Sequence, residues 1–332
     1  MTVRPLTPSD LDAHCRVSSS AFIWDYKPGE EKFPEDDFLL GCFDDETGEL
    51  MADLEVNIRK AAWGGETVLC ACIGGVASLP HRRREGAVRR LFEALHAMAE
   101  EKGWAFGALY PFSDAYYRQF GYERYFSSMQ LTVPMAVVET YASKVPKSEL
   151  GRPVLYENGK KEFPSGGGVR PQGDTTEGRL GRGGQLLRIY NTYARERACM
   201  LLRDESNLKQ FYHKPYEKCE YTYLWQNGAG ECEGYVMYKI DREQSAVSVD
   251  EIVFLSGAAL RGLLAFLRVY ASKAGSVVFQ QLPPDSPIPG VLGEYSAMRA
   301  QLRFGPALRA YGGQLSLLSM PKSPAPQLWD GF

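Results

Sequence analysis

The sequence predicts an α/β chain of the α+β kind, in which one mixed, mostly antiparallel sheet with flanking helices is built twice. Two observations lead there. Residues 38–110 read as strand, strand, strand, helix, strand, and residues 219–283 repeat that order. Between the copies, residues 141–186 include "FPSGGGVRPQGDTTEGRLGRGGQ", rich in glycine and poor in apolar anchors, which reads as a connector. The expected layout is therefore a first domain over 1–140, a connector over 141–186, a second domain over 187–290 and a short segment over 291–332.

The elements follow in order. "VRPLTPSDLDAHCRVSSSAF" gives a short strand and then a helix capped near Thr7 or Ser9. "FLLGCFDD" and "ELMADLEVNIRKAAW" form a hairpin around Thr47-Gly48, and "ETVLCACIGGVASLP" is a long central strand. Gly74 and Gly75 in that strand suit a bulge or a close backbone approach. Ala87–Glu100 is an amphipathic helix with Val88, Leu91, Leu95 and Met98 at core spacing. A short strand, "WAFGALYP", and an aromatic-rich helix ending in Phe120, Gly121 and Tyr122 close the first copy. Phe112, Tyr116, Phe120 and Tyr122 are expected in the core. In the second copy "LLRIYNTYARERACMLL" reads as a helix, followed by three strands, a helix over "GAALRGLLAFLRVYASKAG" and a last strand, "SVVFQQLP".

The junction "SLPHRRREGAVRRLF" carries the chemistry. Arg82, Arg83 and Arg84 crowd against Gly86 where a helix begins, although the helix dipole favours anions at that end. Arginines, first-turn N–H groups without intrahelical partners and a glycine together describe a phosphate site. A P-loop and a dinucleotide fingerprint are both absent. In the second copy the matching junction, "SGA" after Leu255, has no arginine, so that copy is expected to hold no pyrophosphate.

The spacing P-x-x-R-x-x-G-x-V, Pro80 to Val88, resembles the pyrophosphate loop of GCN5-related N-acetyltransferases (GNAT), R/Q-x-x-G-x-G/A, with Val88 at the last position. Downstream, Y-x-x-F-G-Y over 117–122 resembles that superfamily's acyl-CoA signature. Both stretches together resemble the enhanced-intracellular-survival (Eis) family of acetyltransferases in its Gram-positive form, most clearly over residues 1–135. The resemblance implies tandem acetyltransferase folds and a shortened remnant of a C-terminal sterol-carrier-like domain. It implies acetyl-CoA as cosubstrate, held by Val76, Ala77, Ser78, Arg83, Arg84, Glu85, Gly86, Ala87, Val88, Arg89, Phe112 and Ser113. Tyr117 would be the general acid, and the α-carboxylate of the last residue, Phe332, the base. A homo-oligomer, a hexamer in the family, is implied as well.

"AFIWDYKPGEEKFPEDDF" sets Phe22, Trp24 and Tyr26 among Asp25 and further carboxylates. Aromatics with carboxylates suit a cationic amine, aminoglycoside- or polyamine-like, and they equally describe a solvated acidic loop. The expected reaction is acetyl transfer to a primary amine of a basic small molecule or a lysine; a non-catalytic acyl-CoA sensor or scaffold is the alternative. An esterase or thioesterase reading fails because this sequence has no G-x-S-x-G and no usable Ser/His pair. A net charge of −3 over 332 residues argues against a nucleic-acid partner. No apolar run reaches membrane-spanning length and no signal peptide opens the chain, so a cytoplasmic enzyme off the membrane is expected. Seven scattered cysteines and four histidines without ligand spacing predict reduced thiols and no metal.

Overall fold

A computed structural model describes residues 1–29, 32–33, 38–146, 151–157 and 181–311. The chain forms two compact units. The first holds Met1–Phe126 and takes up the chain again from Phe304; the second holds Ser127–Arg303.

In the first unit, β1 (Thr2–Pro5) leads to α1 (Leu11–Phe22), then β2 (Phe38–Phe43), β3 (Leu50–Trp63), β4 (Glu66–Ser78), α2 (Ala87–Lys102), β5 (Phe106–Leu109), α3 (Asp114–Arg118) and β6 (Glu123–Arg124). The turn into α1 is set by Asp10, whose carboxylate accepts from the Thr7 N–H at 2.8 Å, the Thr7 hydroxyl at 2.7 Å and Arg4 at 2.8 Å. The hairpin turns where expected, with the Gly48 N–H bonded to the Asp44 carbonyl at 2.9 Å. α2 buries Ala87, Leu91, Phe92, Leu95 and Ala99 against Leu54, Val56, Ala71 and Ile73 of the sheet. α1 packs on β3 and β4, its Val17 joining Leu6, Leu39, Leu50 and Ala77.

The second unit runs β7 (Ser127–Pro134), α4 (Met135–Lys144), β8 (Arg152–Leu155), α5 (Arg182–Arg195), β9 (Met200–Leu201), α6 (Pro215–Lys218), β10 (Glu220–Gln226), β11 (Cys232–Asp241), β12 (Ala246–Phe254), α7 (Gly257–Phe266), β13 (Ser276–Leu282) and α8 (Ile288–Leu292). β14 (Arg299–Phe304) and β15 (Ala307–Ala310) follow. The first sheet has the order β1-β2-β3-β4-β5-β15-β6, and the second β14-β7-β13-β12-β11-β10-β8. No helix among the described residues is long and apolar enough to cross a membrane.

Four boundaries differ from the sequence expectation. The first unit yields at Phe126 rather than at 140, because β7 pairs with β13 (Val133↔Val277) and α4 buries Met135, Val137 and Val138 beside Leu260 and Leu263. The connector contains β8, a short edge strand on β10 with Pro153 tolerated at the edge. The helix expected over 186–202 starts at Arg182 and ends at Arg195. Residues 299–310, expected in a third-domain remnant, are strands of the two sheets, and β15 lies between β5 and β6. Without β15, β5 would lose its partner on that side, and Tyr122 would lose its bond to the Tyr311 hydroxyl at 2.9 Å.

Candidate active site

The site begins with a ladder that stops. β4 and β5 run parallel and pair from Cys70↔Phe106 to Ile73↔Leu109. Beyond that point β4 continues to Ser78 with β3 alone, Asp53 opposite Ala77 and Ala52 opposite Ser78. Between Glu55 and Asp53 the β4 side takes an extra residue, bulging at the glycine pair. The backbone of Val76, Ala77 and Ser78 therefore turns one row of hydrogen-bonding groups to no strand among the described residues, an edge that an amide-bearing ligand can pair with.

Past the edge lies the arginine loop, and the three arginines differ. Arg82 is tied back: it donates to Asp44 and lies 3.3 Å from Glu85 and 3.8 Å from Glu49. The Thr47 and Glu46 N–H groups, with Arg82, pull the Asp44 carboxyl down to about 2. Arg83 and Arg84 are exposed and make no ion pair among the described residues. Arg84 sits in the left-handed region at φ 68°, and Gly86, the N-cap of α2, at φ 91°. A side chain at Gly86 would be strained there, yet a Cβ would meet nothing within 4 Å among the described residues, so the space above the helix start is open with respect to them. No side chain among the described residues caps α2. Among the described residues no side chain meets the first-turn N–H groups of Ala87, Val88 and Arg89, and these groups with the two arginines are of the kind that bind a pyrophosphate. Of the other residues expected to contact the cosubstrate, Glu85 is exposed beside Arg82 and Arg89 donates to Gln119 at 3.3 Å.

Tyr117 lies in α3, whose start is capped by Ser113 accepting from the Tyr116 N–H at 3.3 Å. Its ring is 4 % exposed and packs edge-on to Phe92, Phe112 and Tyr116. Burial, and after it the neighbouring Tyr116, push its hydroxyl well above the ordinary phenol range, so the group keeps its proton at neutral pH. Phe120 and Tyr122 are buried as expected, whereas Phe112 is 76 % exposed, on the surface rather than in the core.

Among the residues expected to meet a substrate, Phe22 and Asp25 are exposed. Trp24 donates to the Ser18 hydroxyl at 3.4 Å, and Tyr26 donates to Asp12, which pushes its own hydroxyl up to about 12. Residues 30, 31 and 34–37 of that stretch, and Phe332, lie outside the described residues. One pair was not anticipated: His14 Nδ1 meets Asp53 Oδ2 at 2.8 Å. These residues are thirty-nine positions apart, and only the packing of α1 on β3 joins them.

The second unit repeats the frame and closes it. β12 and β13 pair in parallel from Ala246↔Ser276 to Val249↔Phe279. At the start of α7, however, Ser256 Oγ accepts from the Ala259 N–H at 3.1 Å and donates to Glu233 at 2.7 Å. That hydroxyl occupies the place an anion would take, with a carboxylate behind it. Glu251 on β12 is held by Arg203 through bonds of 2.8 and 3.0 Å.

Comparison with known proteins agrees with this frame. Two family models match, each described as an acetyltransferase (GNAT) domain, over residues 2–125 and 199–309. Among curated proteins none matches. Solved structures similar in fold include a protein of Enterococcus faecalis V583 described as a probable N-acyltransferase (18 % identity, TM-score 0.71, covering 93 % of this chain and 72 % of that one). A GCN5-related N-acetyltransferase of Anabaena variabilis ATCC 29413 (16 %, 0.70, 96 % and 75 %) and Eis1 of Mycobacterium abscessus (18 %, 0.70, 96 % and 76 %) are similar too. The chain thus carries tandem GNAT acetyltransferase domains, an open helix start in the first and a capped one in the second.

Proposed function

We propose that the first unit binds acetyl-CoA and passes its acetyl group to a primary amine of a basic small molecule, aminoglycoside- or polyamine-like, or of a lysine. In this reading the chain is an Eis-like enzyme of the Gram-positive form, cytoplasmic and homo-oligomeric. The observation that carries it is the conjunction of the unpaired β4 edge with the uncapped, arginine-flanked start of α2. Val76, Ala77 and Ser78 pair with the pantetheine amides, Arg83 and Arg84 with the first-turn amides hold the pyrophosphate, and Phe112 and Ser113 border the thioester end. The cosubstrate supplies an activated acyl group. The chain's part is to orient it, to keep a proton on Tyr117 for the departing sulfur, and to take one from the amine. A lysine-like amine, pKa about 10.4, is mostly protonated at neutral pH and must lose that proton before it attacks. Phe22, Trp24, Asp25 and Tyr26 line the approach of the cation.

Thiol release from acetyl-CoA, measured across aminoglycosides, polyamines and lysyl peptides, tests the reading. Turnover with basic amines is expected. Tight acetyl-CoA binding with no thiol released by any amine would instead support a non-catalytic acyl-CoA sensor or scaffold.

A further inference from the structure

We propose that His14, held by Asp53, is the group that takes the proton from the acceptor amine. This rests on the acetyltransferase reading and gives His14 the proton-accepting role that the family resemblance implies for the α-carboxylate of Phe332, which lies outside the described residues. β3 is apolar through Leu50, Met51, Ala52, Leu54 and Val56, all buried, and Asp53 interrupts that run with a side chain of no solvent exposure. One of its oxygens, Oδ2, meets His14 Nδ1 at 2.8 Å, and the other, Oδ1, has no partner among the described residues. A carboxylate buried on one hydrogen bond is a costly way to fix a helix to a sheet, and an apolar residue of similar size would serve that purpose better. Such a carboxylate does orient an imidazole: it accepts from Nδ1–H and leaves Nε2 as a lone-pair acceptor. His14 Nε2 has no partner among the described residues, and the side chain keeps 21 % of its surface open. The pair also stands beside the open stretch of β4. Asp53 is opposite Ala77, on the stretch of β4 beyond its last contact with β5, and α1, which carries His14, packs on both β3 and β4.

The transfer balances. The amine nitrogen bonds to the acetyl carbon as the carbon–sulfur bond breaks, Tyr117 gives its proton to the sulfur, and the proton shed by the nitrogen goes to His14 Nε2, directly or through one water. Exchange with solvent restores both groups, and the products are the N-acetyl amine and free thiol. Asp53 is a positioning residue, because it acts through the ring.

The test has two parts. Titrating an accepted amine, without acetyl-CoA, into protein labelled at the histidine nitrogens should shift the His14 Nε2 resonance; a resonance that stays still overturns the proposal. In turnover, His14→Ala should lower kcat about 100-fold or more with acetyl-CoA affinity kept. Added imidazole should restore part of that loss, and less of it in the His14→Ala/Asp53→Asn double variant, where the ring's orienter is gone. Wild-type turnover by His14→Ala overturns the proposal, as does a kcat loss that no substituted imidazole relieves. If wild-type protein acetylates no amine at all, it is the acetyltransferase reading that fails.

Discussion

At the residue scale, three positions separate ligand binding from chemistry. Gly86→Glu adds bulk and negative charge to an open, left-handed position at the helix start, and should abolish acetyl-CoA binding with the fold intact. Arg84→Ala should weaken binding by about 1–3 kcal/mol, the range of a charge-assisted hydrogen bond. Tyr117→Phe keeps the ring among Phe92, Phe112 and Tyr116 and removes only the hydroxyl. Steady-state kinetics should show kcat about 100-fold lower with affinity and melting temperature retained; unchanged turnover would mean that another group protonates the sulfur. Much of this site was legible in the sequence, because an arginine-glycine helix start and a Y-x-x-F-G-Y run are local patterns. What the sequence hid depends on distant partners. Arg82 looks like its neighbours until Asp44 is folded against it, and nothing in the chain's order brings His14 to Asp53.

At the element scale, the closing strand of the first sheet carries the stability of the site's frame. Tyr311, next to β15, bonds Tyr122, and both hydroxyls lie over Gly107 of β5, where a Cβ would stand 2.0 Å from the Tyr311 oxygen. Gly107→Ala should therefore destabilise the first unit, and Tyr311→Ala should cost about 3–5 kcal/mol in chemical denaturation, typical of a buried aromatic removed. His96 lies against the same pair, and burial, with Arg309 nearby, lowers it to about 4. The sign follows: between pH 6.5 and 4 the unfolded chain takes up this proton and the folded chain does not. Stability present above pH 6.5 is lost as pH falls toward 4, by roughly 2 kcal/mol once solvent screening is allowed for. Denaturation at pH 7 and pH 4.5 should show this loss in wild type and a smaller one in His96→Gln. The hairpin, the central strand and the helix after the arginine loop were readable because their hydrophobic periods are strong. Four-residue strands such as β8 and β15 carry too little pattern to be told from loop, and only their partners define them.

At the scale of the whole molecule, the repeat of strand and helix order announced two copies of one fold. It did not announce that the second sheet takes β7 from directly after the first unit, while the first sheet is completed by β15 from the end of the described chain. The copies diverge at the start of the helix that precedes each parallel-paired strand. Gly86 leaves the first helix start open beside Arg83 and Arg84; Ser256 fills the second with its own hydroxyl, backed by Glu233. Calorimetric titration of acetyl-CoA into wild-type protein and Gly86→Glu tests that asymmetry most directly. The account predicts one acetyl-CoA bound per chain in wild type and none in the variant. Two per chain, or one that survives Gly86→Glu, would contradict it.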